Sequence, residues 1–207
     1  MHCRTEPYDW DERINPNVVD SAGLWGALGD SVVVASLLDW TDADTIPRTA
    51  GAEAGWYAQR GRAAPRNGPF ADVAELARVR GLEVTSPTDL RTLFTVRGDG
   101  SVSPDRADAA VLRTIRVFGA ADAERLVRAA RAGRRFSNAR DVVDYLGLDL
   151  DVDGFRRLAT RLSFSGETRT VRAVGWASPF GRQIEFEIVT TVVPVDGRLA
   201  LTELVAR

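Results

Sequence analysis

Two stretches of this chain echo each other, and the echo narrows the folds open to it. Ile14-Asn15-Pro16-Asn17 is matched by Val102-Ser103-Pro104-Asp105, and each precedes a helix pair that carries a leucine, Leu24 in one and Leu112 in the other. Further along, Phe70-Ala71-Asp72-Val73-Ala74-Glu75-Leu76 leads to Gly81-Leu82. Phe136-Ser137-Asn138-Ala139-Arg140-Asp141-Val142 leads in the same way to Gly147-Leu148. Phe and Gly stand eleven positions apart in both copies. The order is the same twice: a turn, a helix hairpin, then a Phe-initiated capped helix. Repetition on this scale indicates two similar supersecondary units packed together. The first copy carries an extra insertion between its hairpin and its Phe helix.

The local signals fill in the units. Residues 21–38 place Leu24, Leu28, Val32 and Leu37 at near-helical spacing, and Gly29-Asp30 interrupts them, so two helices in a hairpin are predicted. Residues 39–69 are rich in Gly, Pro, Ala, Asp and Arg and show little periodicity. They read as a long loop with one short helix near residues 53–59, and a loop of that length in a compact domain is usually functional or tied down. Residues 70–82 read as a helix with Asp72 as N-cap, Glu75 completing a capping box and Gly81 as the stop. Further helices are predicted over 87–94, 106–116, 121–132, 138–146 and 154–162. After Ser163 the period drops from 3.6 to 2: Thr168-Val171-Ala173 and Ile184-Phe186-Ile188 alternate with polar neighbours, 199–205 is β-prone, and Asp196-Gly197 is a hairpin signal. Helices followed by strands make an α+β chain. Its expected sections are 1–17, a first helical repeat over 18–97, a second over 98–162, and strands over 163–207.

Composition prunes chemistry. Of 207 residues, one is cysteine (Cys3) and one is histidine (His2). No intrachain disulfide can form, and a lone histidine near a fraying end serves neither a Ser-His-Asp nor a Cys-His site. Zinc sites built on Cys and His fail on the same count. No pair of carboxylates is marked out for catalysis, so the chain is read as a non-enzyme. The net charge of −2, with all 27 basic residues arginine, lacks the basic balance of a nucleic-acid binder. No run of about 18 apolar residues is present to form a membrane helix. The first 17 residues, polar and acidic, resemble neither a signal peptide nor an anchor.

The turn, hairpin and Phe-x-Asp-Val-x-Glu-Leu order resembles a helix-hairpin-helix unit. More specifically, Leu38-Asp39-Trp40-Thr41-Asp42-Ala43-Asp44, then Pro47-Arg48, Gly51-Ala52-Glu53, Tyr57 and Pro65-Arg66-Asn67-Gly68-Pro69-Phe70 resemble the K-type minor pseudopilin of type II secretion systems. The resemblance runs from about Arg13 to the C-terminus. It implies a helical domain inserted into a small pilin-like β-sheet domain. Residues 6–15 would lend that sheet a strand, and the C-terminal strands would supply the rest. It implies a place at the tip of a short pseudopilus beside other minor pseudopilins, on the periplasmic side of the inner membrane, in support of pseudopilus assembly and protein export. The family's leader and long apolar helix have no counterpart here. The membrane would be reached only through an N-terminal helix missing from this chain, which is otherwise expected to be soluble.

Asp39, Asp42, Asp44 and Glu53 lie together in the long segment. Clustered oxygen ligands on a loop suit calcium, and the resemblance implies that these four positions bind it. Where the family has further acids after the glutamate, this chain has Ala54 and Gly55. The plainer reading is that the acids are solvated, cap the short helix, or pair with Arg48, Arg60 and Arg62.

The alternative function is DNA binding through helix-hairpin-helix units, with the arginines of 125–135 as a basic patch. Such hairpins present Gly-rich runs to phosphate. Leu28-Gly29-Asp30 and Phe118-Gly119-Ala120 each offer a single glycine, and Asp30 would repel the phosphate. The five tryptophans could anchor a partner, though tryptophan more often packs in the core; Trp56 and Trp176, beside Gly or in loop-like sequence, are the ones expected to be exposed.

Overall fold

A computed structural model describes the backbone of residues 2–7, 9–164, 169–177, 184–195 and 198–206, and the side chains of residues 9–164. The chain divides into two compact units, Asp11–Phe164 and Met1–Trp10 with Ser165–Arg207. The first is helical and holds most of the chain.

Within the helical unit, short helices follow one another, and most begin at a side chain able to cap them. Helix α1 (Ser21–Leu28) starts at Asp20, whose carboxylate accepts from Gly23 N at 2.7 Å, and ends at Gly29 in the left-handed region, φ 64°. Helix α2 (Ser31–Thr41) starts two residues later at Asp30, which accepts from the amides of Val32 and Val33. Helix α3 (Ala54–Ala58) stands inside the insertion. A 3-10 helix, Val73–Arg78, and α4 (Pro87–Leu93) complete the first copy. The second copy contains α5 (Ala109–Leu112), α6 (Ala120–Arg131), α7 (Ala139–Leu146) and α8 (Val152–Ala159). Their apolar faces meet in one core, with Ile14, Leu24, Tyr57, Leu76, Leu112, Leu126 and Val142 fully buried.

The repeat seen in the sequence is also a repeat of hydrogen bonds. In the first copy Ile14 N donates to Leu93 O at 2.8 Å and Thr95 N donates back to Ile14 O at 2.9 Å. In the second, Val102 N donates to Arg161 O and Ser163 N to Val102 O, both at 2.9 Å. Each copy is thus closed by a short parallel bridge between its first and last residues, Ile14 with Phe94 and Val102 with Leu162. A second closure repeats as well. Asn17 exchanges two bonds with the backbone of Phe70, Nδ2 to O at 3.0 Å and N to Oδ1 at 2.8 Å. Asp105, at the matching position, accepts from Phe136 N at 3.0 Å. The phenylalanine that opens the capped helix is pinned each time by the last residue of the turn motif. The two copies meet where α1 passes α5. A Cβ on Gly23 would lie 2.7 Å from Thr114 O, and one on Gly26 would lie 2.5 Å from Arg113 O, so only glycine permits this approach.

Three elements differ from the sequence expectation. Residues 70–82 hold a six-residue 3-10 helix rather than an α-helix. Asp72 caps it through Ala74 N, while Glu75 reaches back to Ala71 N and outward to Arg66. Val79 and Leu82 then turn inward, and Gly81, at φ 91°, lies against Val33. Helix α5 spans four residues, not 106–116. The chain there continues in tight i to i+3 turns that bring Ile115 and Phe118 inward. The N-terminal strand is His2–Pro7 rather than 6–15, because Ile14 and Asn15 are already committed to the helical unit.

The second unit is a four-stranded antiparallel sheet in the order β1-β2-β3-β4, formed by β1 (His2–Pro7), β2 (Arg169–Ala177), β3 (Ile184–Val195) and β4 (Arg198–Ala206). Strand β1 pairs with β2, with Cys3 opposite Gly175, so the two ends of the chain share one sheet while Asp11–Phe164 forms the other unit. The Asp196-Gly197 hairpin signal, Thr168 and the side chain of Trp176 lie outside the described residues.

The Asn17 clasp is testable. Asn17→Ala removes two hydrogen bonds and strands the amide and carbonyl of Phe70. A loss of about 2 kcal/mol is expected in urea unfolding; a loss within error of zero would show that the clasp contributes nothing.

Candidate metal centre

The four acids foreseen from sequence occupy two helix ends and the loop between them. Asp39 lies in the last turn of α2 and is fully buried. A carboxylate there faces the negative end of the helix and needs compensation. Arg48 provides it: its backbone N–H donates to both Asp39 oxygens, at 3.3 and 3.2 Å, and its Nη1 donates to Oδ1 at 2.6 Å. Asp42 is the C-cap of α2, and its Oδ2 accepts from the same Nη1 of Arg48. Asp44 is exposed, accepts from Ile46 N at 2.8 Å in a local turn, and has its carbonyl held by Asn67 Nδ2 at 2.5 Å. Glu53 is the N-cap of α3, yet it makes no side-chain cap bond and is only 5% exposed.

The structure separates these four. Asp42, Asp44 and Glu53 each bring an oxygen within 4.8 Å of the others. Asp39 does not join this group and is taken by Arg48. Arg60 and Arg62, considered as partners for the acids, go elsewhere. Arg60 lies 4.0 Å over the Trp56 ring, and Arg62 binds Glu83 at 2.8 Å. Both oxygens of Glu53 and Oδ1 of Asp42 are buried with no hydrogen-bond partner. A buried carboxylate without a partner is costly. Burial, followed by the charge of Asp39 and, more weakly, of Asp42 and Asp44, pushes Glu53 above the ordinary glutamate range. Asp42 first and Asp39 second hold Arg48 protonated beyond the usual arginine value.

These donors fit a hard divalent cation. They are carboxylate oxygens on a loop, close enough to share one ion, and two of the three groups carry oxygens with no other partner. The packing that holds them was less legible in sequence. Gly51 is pressed against Asp39, so that a Cβ there would fall 1.9 Å from Oδ2. Its carbonyl accepts from Arg80 Nη1 at 3.0 Å. Tyr57, fully buried, accepts from Arg80 N through its hydroxyl and packs edge-on to Trp40 at 5.6 Å. Trp40 in turn stacks on Phe70 at 5.9 Å. Trp56 is partly buried, with Arg60 and Arg80 over its ring, while among the described residues Trp25 is the exposed tryptophan at 52%. The spacing of α1 puts Leu24 inward and its neighbour Trp25 outward.

With the geometry in place, the comparisons bear on it. Among the described residues no helix is long and apolar enough to cross a membrane. No curated protein matches the chain by sequence. A family model described as type II secretion system (T2SS), protein K, matches residues 22–99, the first helical copy with its acidic insertion. A solved structure, the GspK-GspI-GspJ complex from the enterotoxigenic Escherichia coli type 2 secretion system, contains a similar fold. The TM-score is 0.62 at 16% identity, over 99% of this chain and 79% of that one. By sequence, then, residues 22–99 are similar to type II secretion system protein K, and the likeness to the solved structure is one of fold.

Without a divalent cation, Glu53 is an electrostatic liability. Because its pKa is raised on folding, the folded chain holds a proton that the unfolded chain releases. Stability therefore falls as pH rises above the ordinary glutamate range. In EDTA near neutral pH, Glu53→Gln is expected to melt higher than wild type, with the gap closing in acid. A lower melting temperature for Glu53→Gln in EDTA would contradict this.

Proposed function

We propose that this chain is a non-enzymatic structural subunit of a type II secretion pseudopilus, acting at its tip on the periplasmic side of the inner membrane. In this reading the four-stranded sheet is the pilin-like part, and the helical repeats are an elaboration inserted between β1 and β2. The observation that carries it is the match of residues 22–99 to protein K, joined to a fold similarity that spans nearly the whole chain. The similar structure is a complex with GspI and GspJ, so the partners proposed are the corresponding minor pseudopilins, bound through protein surfaces rather than through a small-molecule substrate. DNA binding gains nothing from the helix starts. The amides of Val32 and Val33 in α2 are already occupied by Asp30, and Asp122, which accepts from Gly119 N, puts a carboxylate at the start of α6 that would repel phosphate.

We further propose that Asp42, Asp44 and Glu53 hold a calcium ion. What supports this is the set of unpartnered buried oxygens on Glu53 and Asp42. The ion would supply charge neutralisation and a cross-link between the end of α2 and the start of α3, which Asp42 and Glu53 occupy as cap residues.

Two experiments test these readings. Co-expressed with I-type and J-type minor pseudopilins of the same source, the chain is expected to co-elute with both in size-exclusion chromatography; elution of each alone would overturn the assembly reading. Millimolar calcium is expected to raise the melting temperature, since an ion bound only to the native state stabilises it by about 2.7 kcal/mol at a hundredfold excess over Kd. Asp42→Ala and Glu53→Ala should abolish the rise, and an unchanged rise in both would remove these residues from the site.

A further inference from the structure

We propose that Arg48 is a resident cation that fills half of the acidic pocket, so that the loop takes one divalent ion and not two; this rests on the reading of Asp42, Asp44 and Glu53 as a cation site. Asp42, Asp44 and Glu53 form one group, Asp39 lies beside it, and among the described residues Arg48 pairs with Asp39 and Asp42. Its Nη1 alone bridges two of them, donating to Asp39 Oδ1 and to Asp42 Oδ2. Asp42 is therefore shared. One oxygen, Oδ2, faces the guanidinium, while Oδ1 is buried and unpartnered, and Asp42 offers an oxygen within 4.8 Å of those of Asp44 and Glu53. Asp39, fully buried, spends its carboxylate on the backbone and side chain of Arg48.

This division has two consequences. First, the guanidinium neutralises the part of the cluster that burial makes most costly, so α2 can end in two acids before any ion arrives. Second, it holds Asp42 in the rotamer that turns Oδ1 toward the open side. Arg48 is then a positioning residue for the ion and also a barrier to a second one, because a metal between Asp39 and Asp42 would have to displace it. Gly51 lies close against Asp39 Oδ2 on the other side, where a Cβ would fall 1.9 Å from that oxygen.

The test is stoichiometry. Calcium bound per chain is measured at saturation, by elemental analysis of gel-filtered protein and by native mass spectrometry, for wild type, Arg48→Met and Arg48→Lys. The proteins are prepared throughout in calcium, so that a variant unstable without it is still scored. One ion is expected for wild type and for Arg48→Lys, which keeps the charge, and two for Arg48→Met, with a larger calcium-induced rise in melting temperature. One ion in all three, with equal affinity, would overturn the role of Arg48 while leaving the cation site intact. No ion in wild type would instead sink the cation site itself. If Arg48→Met does not fold even in calcium, Arg48→Lys decides alone, and two ions there would overturn the proposal.

Discussion

Asn17 and the backbone of Phe70 exchange two hydrogen bonds across 53 residues of chain, and the first repeat depends on that exchange. Between them lie α1, α2 and the whole insertion, and closing a loop of that length costs entropy that the two bonds help to offset. The clasp sets Phe70 beneath Trp40, and Trp40 O then receives Gly68 N at 3.3 Å. Asn67, at φ 51°, reaches the carbonyl of Asp44. The insertion thus leaves the helical core at the end of α2 and returns beside it, which is why its acids face one another. In the second copy Asp105 makes the matching bond to Phe136, and α6 connects to α7 through a few residues. Comparison of the two copies shows that the frame does not need the insertion.

What the insertion adds is charge in a confined space. Arg48 compensates Asp39 and half of Asp42, and Glu53 is left buried beside the remainder. The segment from Gly51 to Tyr57 is fixed from the opposite side by Arg80, through its side chain to Gly51 O and its amide to the Tyr57 hydroxyl. Glu53 therefore cannot swing out to water without pulling α3 from its contacts on Trp40 and Arg80. On the proposed reading a cation would neutralise Glu53 there, which would link the acidic chemistry of the loop to the order of α3. The same segment lies inside the residues that match protein K.

The helical hairpins were legible because their signals are local. Asp20, Asp30, Ser86, Asn138 and Asp151 each accept from an amide two or three residues on, at the helix starts they mark. The repeat was legible because Phe70 and Phe136 answer to Asn17 and Asp105 at matching places. Three of the four acids named from sequence, Asp42, Asp44 and Glu53, lie near one another, since sequence proximity and a shared loop suffice for that. The diversion of Asp39 to Arg48 was not readable, because it depends on Asp39 facing inward from the last turn of α2 while Asp42 caps it. The 3-10 form of Val73–Arg78 was missed for a similar reason: its ends are set by Arg66, Val33 and Tyr57, all distant in the chain. The exposure of Trp25 rather than Trp56 depends on what α1 and α3 pack against, and composition holds no record of that.

The account rests on one claim, that the insertion of the first repeat is a cation-closed loop on a frame that stands without it. Hydrogen–deuterium exchange with and without calcium tests this most directly. Slower exchange on adding calcium is expected over residues 39–59, with residues 102–163 unchanged. Equal exchange in both conditions over 39–59, or protection spread evenly through both repeats, would contradict it.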